Sequence, residues 1–269
     1  MIFTLGPLSF QINLSKNLIN KHNIYNNSIE ENLYSDKDKI LLNIGGGNFK
    51  HDKWKILDFY SNTNNKKNKI DILYDLNSLQ KLPIENDSVS IIYTSHTIEH
   101  VYKNKFDFLF KEFYRIIDKN NGTIRLVYPD IDICYDAYNR KDKNFFYLSK
   151  SSESLEKSFV KIFAMNLLDE NSGCSKNDIE IKEIIEKNSK IDALKILESI
   201  SDNHNTNFFR PDYHRSWWNH NLIKEYLEKN NFKNIEKSAY GQSKIDILRN
   251  TNLFDNTHPK YSSYTEASF

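Results

Sequence analysis

The sequence has 269 residues, of which 39% are hydrophobic and 27% are charged, enough apolar material for one large domain or two small ones. Its 37 basic and 36 acidic residues leave a net charge of +1, which argues against duplex nucleic acid as a partner. Two cysteines are too few for a disulfide scaffold. No run of 18 apolar residues exists, which excludes a membrane-spanning helix. We read no leader pattern and expect a cytoplasmic location.

The first half of the chain has the succession of short strands, loops and a helix that is typical of a parallel sheet. Residues 1–37 mix short apolar runs with Asn and Ser and are set apart as an N-terminal extension. Over 38–135, short apolar runs bounded by turn residues predict five strands and one helix, which precedes the fifth strand. The strands are expected at 40–44, 55–59, 70–75, 89–94 and 123–128, and the helix at 105–118.

The second half changes character before the sheet is completed. Residues 136–208 are charged and helical in pattern, with helices expected at 154–168 and 178–200, which predicts a helical insertion. Residues 209–269 predict a helix at 219–229 and two closing strands at 234–240 and 261–267. The pattern predicts an α/β fold: a Rossmann-like, doubly wound, mostly parallel sheet with a helical insertion between strands five and six.

Chemically useful residues follow several of the predicted strands. In an open parallel sheet the ligand site lies beyond the carboxyl ends of the strands. There the sequence places residues 45–48 (GGGN), Asp58, Asp75, the pair Ser95 and His96, and residues 128–130 (YPD). Glycines let a backbone approach a ligand closely, and a carboxylate at a strand end can accept both hydroxyls of a ribose. The order of these residues favours a nucleoside-binding site over unrelated turns.

A dinucleotide-binding oxidoreductase is the competing interpretation. Its fingerprint requires a third glycine and an acidic residue about 20 residues further on. Here Lys50 stands at the third position, and Asp58 follows Gly47 by only 11 residues. Little room remains for a helix whose N-terminus would hold a pyrophosphate. An NAD-dependent sugar-modifying enzyme therefore stays open only as a weaker alternative.

The ordered set of motifs resembles the class I S-adenosylmethionine-dependent methyltransferases, most closely a branch often encoded among surface-polysaccharide genes. The resemblance covers residues 39–135 and 212–267 and departs from the pattern at Gly46, where cysteine is common. The matching pieces are 42–47 (LNIGGG), 54–58, 74–76 (YDL), 82–83 (LP), 95–100 (SHTIEH), 112–117, Gly122, 125–130, His214, 241–243 and 263–267.

This resemblance implies an enzyme that binds S-adenosyl-L-methionine and methylates a small molecule. The acceptor is expected to be a sugar or nucleotide-linked compound, with O-methylation of a surface-polysaccharide precursor as the first choice. A non-catalytic binding protein with the same fold is an alternative. The implied cofactor contacts are Gly45, Gly46, Gly47 and Asn48 for the methionine part, Asp58 for the ribose, Asp75 and Leu76 for adenine, and Ser95 and His96 beside the sulfonium.

The string His96-x-x-Glu99-His100 carries the candidate catalytic groups, together with His214. It spells an inverted zinc-protease motif, but it follows a predicted buried parallel strand, which rejects a protease. On a helix, His96 and His100 would share a face. Three interpretations stay open: acid–base catalysis by His96 or His100, helix capping and packing, or a divalent metal completed by His214 or His220. The metal version resembles RNA-end methyltransferases and would make a metal-assisted enzyme acting on a nucleotide or RNA end.

A second dense cluster spans residues 210–220 (RPDYHRSWWNH). Paired tryptophans with Arg and His suit a sugar face or a nucleotide, while Trp217 and Trp218 could equally anchor the following helix to the sheet. Nothing near Cys134 or Cys174 indicates a lowered thiol pKa, so we interpret both cysteines as structural.

Overall fold

A seven-stranded mixed sheet forms the centre of the molecule. The computed structural model describes residues 39–59, 70–204 and 210–269, so the predicted N-terminal extension lies outside the described residues. The strand order is β3-β2-β1-β4-β5-β7-β6, parallel from β3 to β5, with β7 antiparallel to both neighbours. This confirms the Rossmann-like, mostly parallel sheet. The strands are β1 (Ile40–Ile44), β2 (Trp54–Asp58), β3 (Ile72–Leu73), β4 (Val89–Ser95), β5 (Thr123–Pro129), β6 (Lys233–Ser238) and β7 (Ser262–Ser268).

The described α-helices lie between β4 and β5 and in the long interval between β5 and β6. They are α1 (Phe106–Ile116), α2 (Ile131–Asn139), α3 (Leu155–Val160), α4 (Asp178–Lys187), α5 (Lys190–Asp202) and α6 (His220–Lys229). The helix predicted at 178–200 is two helices, because Ser189 begins α5 as an N-cap that accepts the Asp192 N–H. The helix predicted at 154–168 ends at Val160, and a 3₁₀ turn follows at Met165–Leu168.

Two smaller differences from the predicted elements have local causes. The third strand is only Ile72–Leu73, an edge strand that pairs with β2 alone. Helix α2 was not predicted; it begins because the Asp130 side chain accepts the Asp132 N–H at 2.8 Å. Asp130 also accepts the Ser263 hydroxyl, so this carboxylate joins α2 to β7.

Each face of the sheet has its own covering. On one face, α1 and α6 bury their apolar sides against the strands, with Phe106, Phe110 and Leu227 fully enclosed. On the other face, Trp54, Tyr93 and Phe254 pack together beneath the segment that carries the 3₁₀ turn Asp246–Arg249. A separate apolar cluster holds α2 to α5 together. In the described part of the chain, no helix is long and apolar enough to cross a bilayer.

Candidate active site

A cavity of about 250 Å³ opens at the carboxyl ends of β1, β2 and β4. Open parallel sheets place ligand sites at this edge. Several residues singled out from the sequence meet there, and others were not anticipated. The lining residues are Gly45, Gly47, Leu57, Asp58, Phe59, Tyr74, Asp75, Leu76, Asn77, His96, Thr97, His100, Val101, Pro211, Asp212 and Arg215.

The glycine loop forms one wall of the cavity. Gly45 has a φ of +69° and lies so close to Thr97 that an added Cβ would be 2.0 Å from its Oγ1. The Gly45 N–H donates to the Leu57 carbonyl at 2.8 Å, and the Gly47 N–H donates to Asp58 Oδ2 at 2.9 Å. The loop is therefore fastened to the end of β2, and only a residue without a side chain fits at position 45.

Asp58 and Asp75 lie on the next part of the same wall. Asp58 accepts one backbone N–H on each oxygen, from Gly47 and, at 2.7 Å, from Phe59. Because a carboxylate offers about four acceptor sites, both oxygens keep the capacity to bind hydroxyls. Asp75 accepts the Asn77 N–H at 2.9 Å, which fixes the turn that carries it. Two carboxylates are thus held by backbone donors at neighbouring strand ends.

The chain between β1 and β2 contains no helix. All of residues 45–53 are described, and they run from the glycine loop straight to β2. The helix N-terminus on which a pyrophosphate would dock is therefore absent from this connection. Of the described residues that line the cavity, Arg215 is the one Lys or Arg, beside Asp58, Asp75 and Asp212. The wall is better suited to a cationic or neutral ligand than to phosphates.

Three residues assigned to the cofactor from the sequence do not line this cavity. Gly46 faces β2, since a Cβ there would lie 2.7 Å from Ile56 Cγ2. Asn48 is exposed on the outer side of the loop. The Ser95 hydroxyl is buried and Ser95 does not line the cavity, whereas Thr97, two residues further on, does. These positions alternate with lining residues because neighbouring side chains point in different directions.

His96 is not on a helix, contrary to the sequence interpretation. It has a φ of +50° at the end of β4, and the 3₁₀ turn Ile98–His100 begins after it. The two histidines of the string therefore do not share a helical face. His96 instead turns towards β7, with Nε2 2.7 Å from Ser262 Oγ and its ring packed edge-on against His258 and Tyr261.

The glutamate cluster (Glu99, His100 and His214) lies beside the cavity wall. Its potential ligand atoms all lie within 4.8 Å of one another, and the two imidazole centroids are 4.7 Å apart. The structure therefore places His214, one of the two residues proposed from the sequence to complete the string, beside Glu99 and His100. His220, the other residue, does not lie there: its Nδ1 lies 2.9 Å from Thr265 Oγ1 on β7, and it is outside the group of possible ligands. His96 Nδ1 also approaches Glu99 Oε1, at 3.2 Å.

Burial sets the protonation states of this cluster. Burial lowers the pKa of His100, and it lowers the pKa of His214 to about 3, so both imidazoles are neutral at pH 7. Burial by itself would raise the pKa of Glu99, but the contact with His96 outweighs it and the pKa is lowered. An anionic carboxylate therefore lies between two neutral imidazoles.

The two tryptophans anchor the chain rather than line the cavity. Trp217 is 6% exposed and Trp218 is fully buried, in edge-on contact with Phe106 at 4.3 Å between centroids. Lys103 Nζ covers both rings, at 4.6 and 4.2 Å from their centroids. Of the cluster at 210–220, it is Pro211, Asp212 and Arg215 that reach the cavity.

Some residues at this edge carried no recognisable signal in the sequence. His258 and Tyr261 precede β7 and reach His96 only because β7 lies next to β5 in the sheet. Thr97 was visible inside the string, and its close packing on Gly45 could have been suspected from the glycine motif. His258 and Tyr261 are far from His96 in the sequence, so no local pattern connects them. Thr97 lies inside the string, between His96 and Glu99, which have more reactive side chains.

Comparison with known proteins finds distant structural likeness only. No protein-family profile matches the sequence, and no curated protein does. A SAM-dependent methyltransferase from Archaeoglobus fulgidus is 10% identical, with 92% of this chain and 94% of that chain covered and a TM-score of 0.42. One from Aquifex aeolicus is 9% identical, with 89% and 88% covered and a TM-score of 0.36.

A third likeness is to the CurJ carbon methyltransferase, at 10% identity and a TM-score of 0.38. The match covers 86% of this chain but only 48% of that chain, so this chain spans about half of the carbon methyltransferase. Likenesses this distant carry no argument about activity. The case for a function therefore rests on the residues around the cavity.

Proposed function

We propose that this protein is an S-adenosyl-L-methionine-dependent methyltransferase that O-methylates a sugar or a small group on a surface-polysaccharide precursor. The observation that carries the proposal is the joining of the glycine loop to Asp58 at the cavity wall, through the Gly47 N–H. This arrangement presents a flat backbone surface next to a carboxylate with unused acceptor sites. A nucleoside with a free ribose diol fits such a surface.

The residues present fit this cofactor. Asp58 would accept the two ribose hydroxyls, Asp75 and Leu76 would contact adenine, and the Gly45 and Gly47 backbone would lie under the methionine part. The excess of carboxylates over cations on the wall complements a sulfonium. When bound, S-adenosyl-L-methionine supplies a methyl group activated by that positive charge.

The chain's own task is then to position an acceptor hydroxyl and to remove its proton. Alignment of two reactants supplies most of the rate enhancement expected of such a site. His96 lines the cavity, with Glu99 Oε1 3.2 Å from its Nδ1, so an imidazole lies where an acceptor hydroxyl would lose its proton. The Ser262 hydroxyl lies 2.7 Å from Nε2 and fixes the direction of the imidazole.

The sugar acceptor rests on the sequence resemblance, and the cavity supports a small uncharged acceptor in one respect. A nucleotide or RNA end would bring phosphates, and among the described lining residues Arg215 alone would meet them with a formal positive charge. Whether a metal ion assists the reaction is independent of the choice of acceptor, and the arrangement of the glutamate cluster favours a metal ion. It is compatible with a sugar acceptor.

Calorimetric titration with S-adenosylhomocysteine tests the cofactor assignment. We expect wild-type protein to bind it and Asp58→Ala to bind about 100-fold more weakly, because two hydrogen bonds to a charged group are lost. Asp107→Ala is the matched control, an exposed carboxylate on α1 paired with Lys229, and should bind like wild type. Failure of the wild type to bind, or equal binding by both variants, would overturn the proposal, as would preferential binding of NADH.

Mass spectrometry identifies the acceptor. Purified protein with S-adenosyl-L-methionine is incubated with a panel of nucleotide sugars, free sugars and short RNA oligonucleotides. We expect a mass gain of one methylene in the sugar samples and none in the RNA samples. A gain confined to RNA would contradict the sugar assignment while leaving methyl transfer intact.

A further inference from the structure

Glu99 is a buried acid whose hydrogen bonding is incomplete. Its side chain is 0% exposed, and neither carboxylate oxygen has a hydrogen-bond partner among the described residues. The neighbouring His96 Nδ1 approaches at 3.2 Å but is not aligned as a hydrogen-bond donor. Buried carboxylates are almost always hydrogen-bonded, paired or bound to a metal ion, because an unpartnered charge is costly in the interior.

The two imidazoles beside Glu99 are held in the same tautomer. His100 Nδ1 lies 3.3 Å from the Tyr213 carbonyl, and His214 Nδ1 lies 3.2 Å from the Ile162 carbonyl. A carbonyl oxygen can only accept, so each Nδ1 carries the hydrogen, and each neutral ring keeps the Nε2 lone pair. Histidines that bind metals are typically oriented by this hydrogen bond to a backbone carbonyl.

Backbone contacts bring the three side chains together without a ligand. The N–H groups of Arg215 and Ser216 both donate to the Glu99 carbonyl, at 2.6 and 3.2 Å. The Met165 N–H donates to the His214 carbonyl at 3.0 Å, which fixes the same segment to the helical insertion. His214 Nε2 then lies 3.9 Å from Glu99 Oε1, a separation that an ion bridging the two atoms would span.

We propose that Glu99, His100 and His214 bind one divalent transition-metal ion of the zinc type. Two imidazole nitrogens and one carboxylate oxygen suit Zn²⁺ or Co²⁺, whereas Mg²⁺ and Ca²⁺ prefer sites made of oxygen atoms. Three protein ligands leave at least one coordination position for another molecule. His96 stays outside this ligand set, because its Nε2 is directed at Ser262 and its Nδ1 flanks the carboxylate.

The position of the cluster gives this ion a role in the proposed reaction. His100 belongs both to the cluster and to the cavity wall, so the ion would lie at the edge of the space where the acceptor must bind. A Lewis acid there would orient the acceptor hydroxyl and ease the loss of its proton. This role rests on the proposed methyl transfer, whereas binding of the ion does not.

The test combines metal binding and cofactor binding on the same full-length protein. Metal-free protein is titrated with Zn²⁺, Co²⁺ and Mg²⁺ by calorimetry, and metal content is measured by elemental analysis after dialysis. We expect one Zn²⁺ or Co²⁺ per chain, no binding of Mg²⁺, and a visible absorption band in the Co²⁺ form. His214→Ala and Glu99→Gln should each weaken Zn²⁺ binding by at least about 100-fold.

His220→Asn is the control, since His220 is nearby in sequence but lies outside the cluster. It should bind Zn²⁺ like wild type. Glu99→Gln keeps the shape of the side chain, so it guards against a loss of binding caused by misfolding of His214→Ala. Absence of a bound ion in the wild type, or equal loss in His220→Asn, would overturn the metal site.

Titration with S-adenosylhomocysteine separates this proposal from the proposed function. Metal bound without S-adenosylhomocysteine binding would leave the ion site standing and remove the methyltransferase. The reverse result, with cofactor binding intact and no ion bound, would remove only the ion site.

Discussion

Two buried charge clusters in this protein differ in how completely their hydrogen bonds are formed. In the arginine cluster (Arg125, Asp255 and Glu266), the guanidinium donates to Asp255 at 2.6 and 3.0 Å and to Glu266 at 2.8 Å. The carboxylates are completed by backbone N–H groups, Gly241 on Asp255 and Lys244 on Glu266. In the glutamate cluster, both Glu99 oxygens lack such partners among the described residues.

The difference separates two uses of buried charge. A cluster with all its partners holds its segments in one arrangement and has little capacity to bind anything else. A cluster held by its backbone but incomplete at its side chains retains capacity for a ligand. We therefore infer that the arginine cluster stabilises the fold and that the glutamate cluster is a binding site.

Removal of the arginine should have the largest effect. Arg125→Met leaves Asp255 and Glu266 buried without their counter-charge, and we expect a loss of about 3–5 kcal/mol in the free energy of unfolding. Urea denaturation followed by circular dichroism measures it. Arg249→Met is the control, because Arg249 is half exposed in its pair with Asp246 and should cost less than about 1 kcal/mol. Similar losses in both variants would show that the arginine cluster has no special role.

The same chemical change in each cluster makes the comparison direct. Glu266→Gln removes one of the two carboxylates that balance Arg125, and the amide nitrogen cannot accept the Lys244 N–H; we expect a cost of about 2–3 kcal/mol. Glu99→Gln, measured with a chelator present, breaks no formed hydrogen bond and loses only the contact of the carboxylate with His96. We expect it to cost about 1 kcal/mol or less. Denaturation midpoints in the opposite order would refute the distinction between the two clusters.

Sequence reasoning reached the cavity wall and the arginine cluster unequally for a physical reason. Gly45, Asp58 and Asp75 could be predicted because each directly follows a strand, and strand ends of a parallel sheet meet at one edge. The partners of Arg125 lie 130 and 141 residues away, and their meeting depends on how β7 and its preceding loop pack. The sequence places Arg125 in the matching piece 125–130 but indicates no role for its side chain.

The string at 96–100 shows a different limit. The sequence identifies its reactive residues and His214 as one of two completions, but a shared face for His96 and His100 would require a helix that the structure does not have. The φ of +50° that turns His96 towards β7 is a backbone conformation uncommon for residues other than glycine, and no residue pattern announces it. The positions of the groups were predictable, whereas the direction in which His96 points was not.

A half-buried acid, Asp202, is intermediate between the two clusters in how far its charge is partnered, and its replacement should show the smallest effect. Asp202 packs near the Lys103–Glu198 pair, whose nitrogen and oxygen are 3.7 Å apart, and one Asp202 oxygen has no hydrogen-bond partner in the described part of the chain. Burial, and then the negative charge of Glu198, raise the pKa of Asp202 to about 7.

The pH dependence of stability tests this group. Between about pH 4, where the carboxyl ionises in the unfolded chain, and pH 7, the folded protein holds one more proton there than the unfolded chain. Stability is therefore lost as the pH rises through this window. Asp202→Asn carries no ionisable group, so we expect it to be about 1 kcal/mol more stable than wild type at pH 8 and no more stable at pH 4. A gain of equal size at both pH values would assign the effect to packing instead, and Asp202 would then belong with neither cluster.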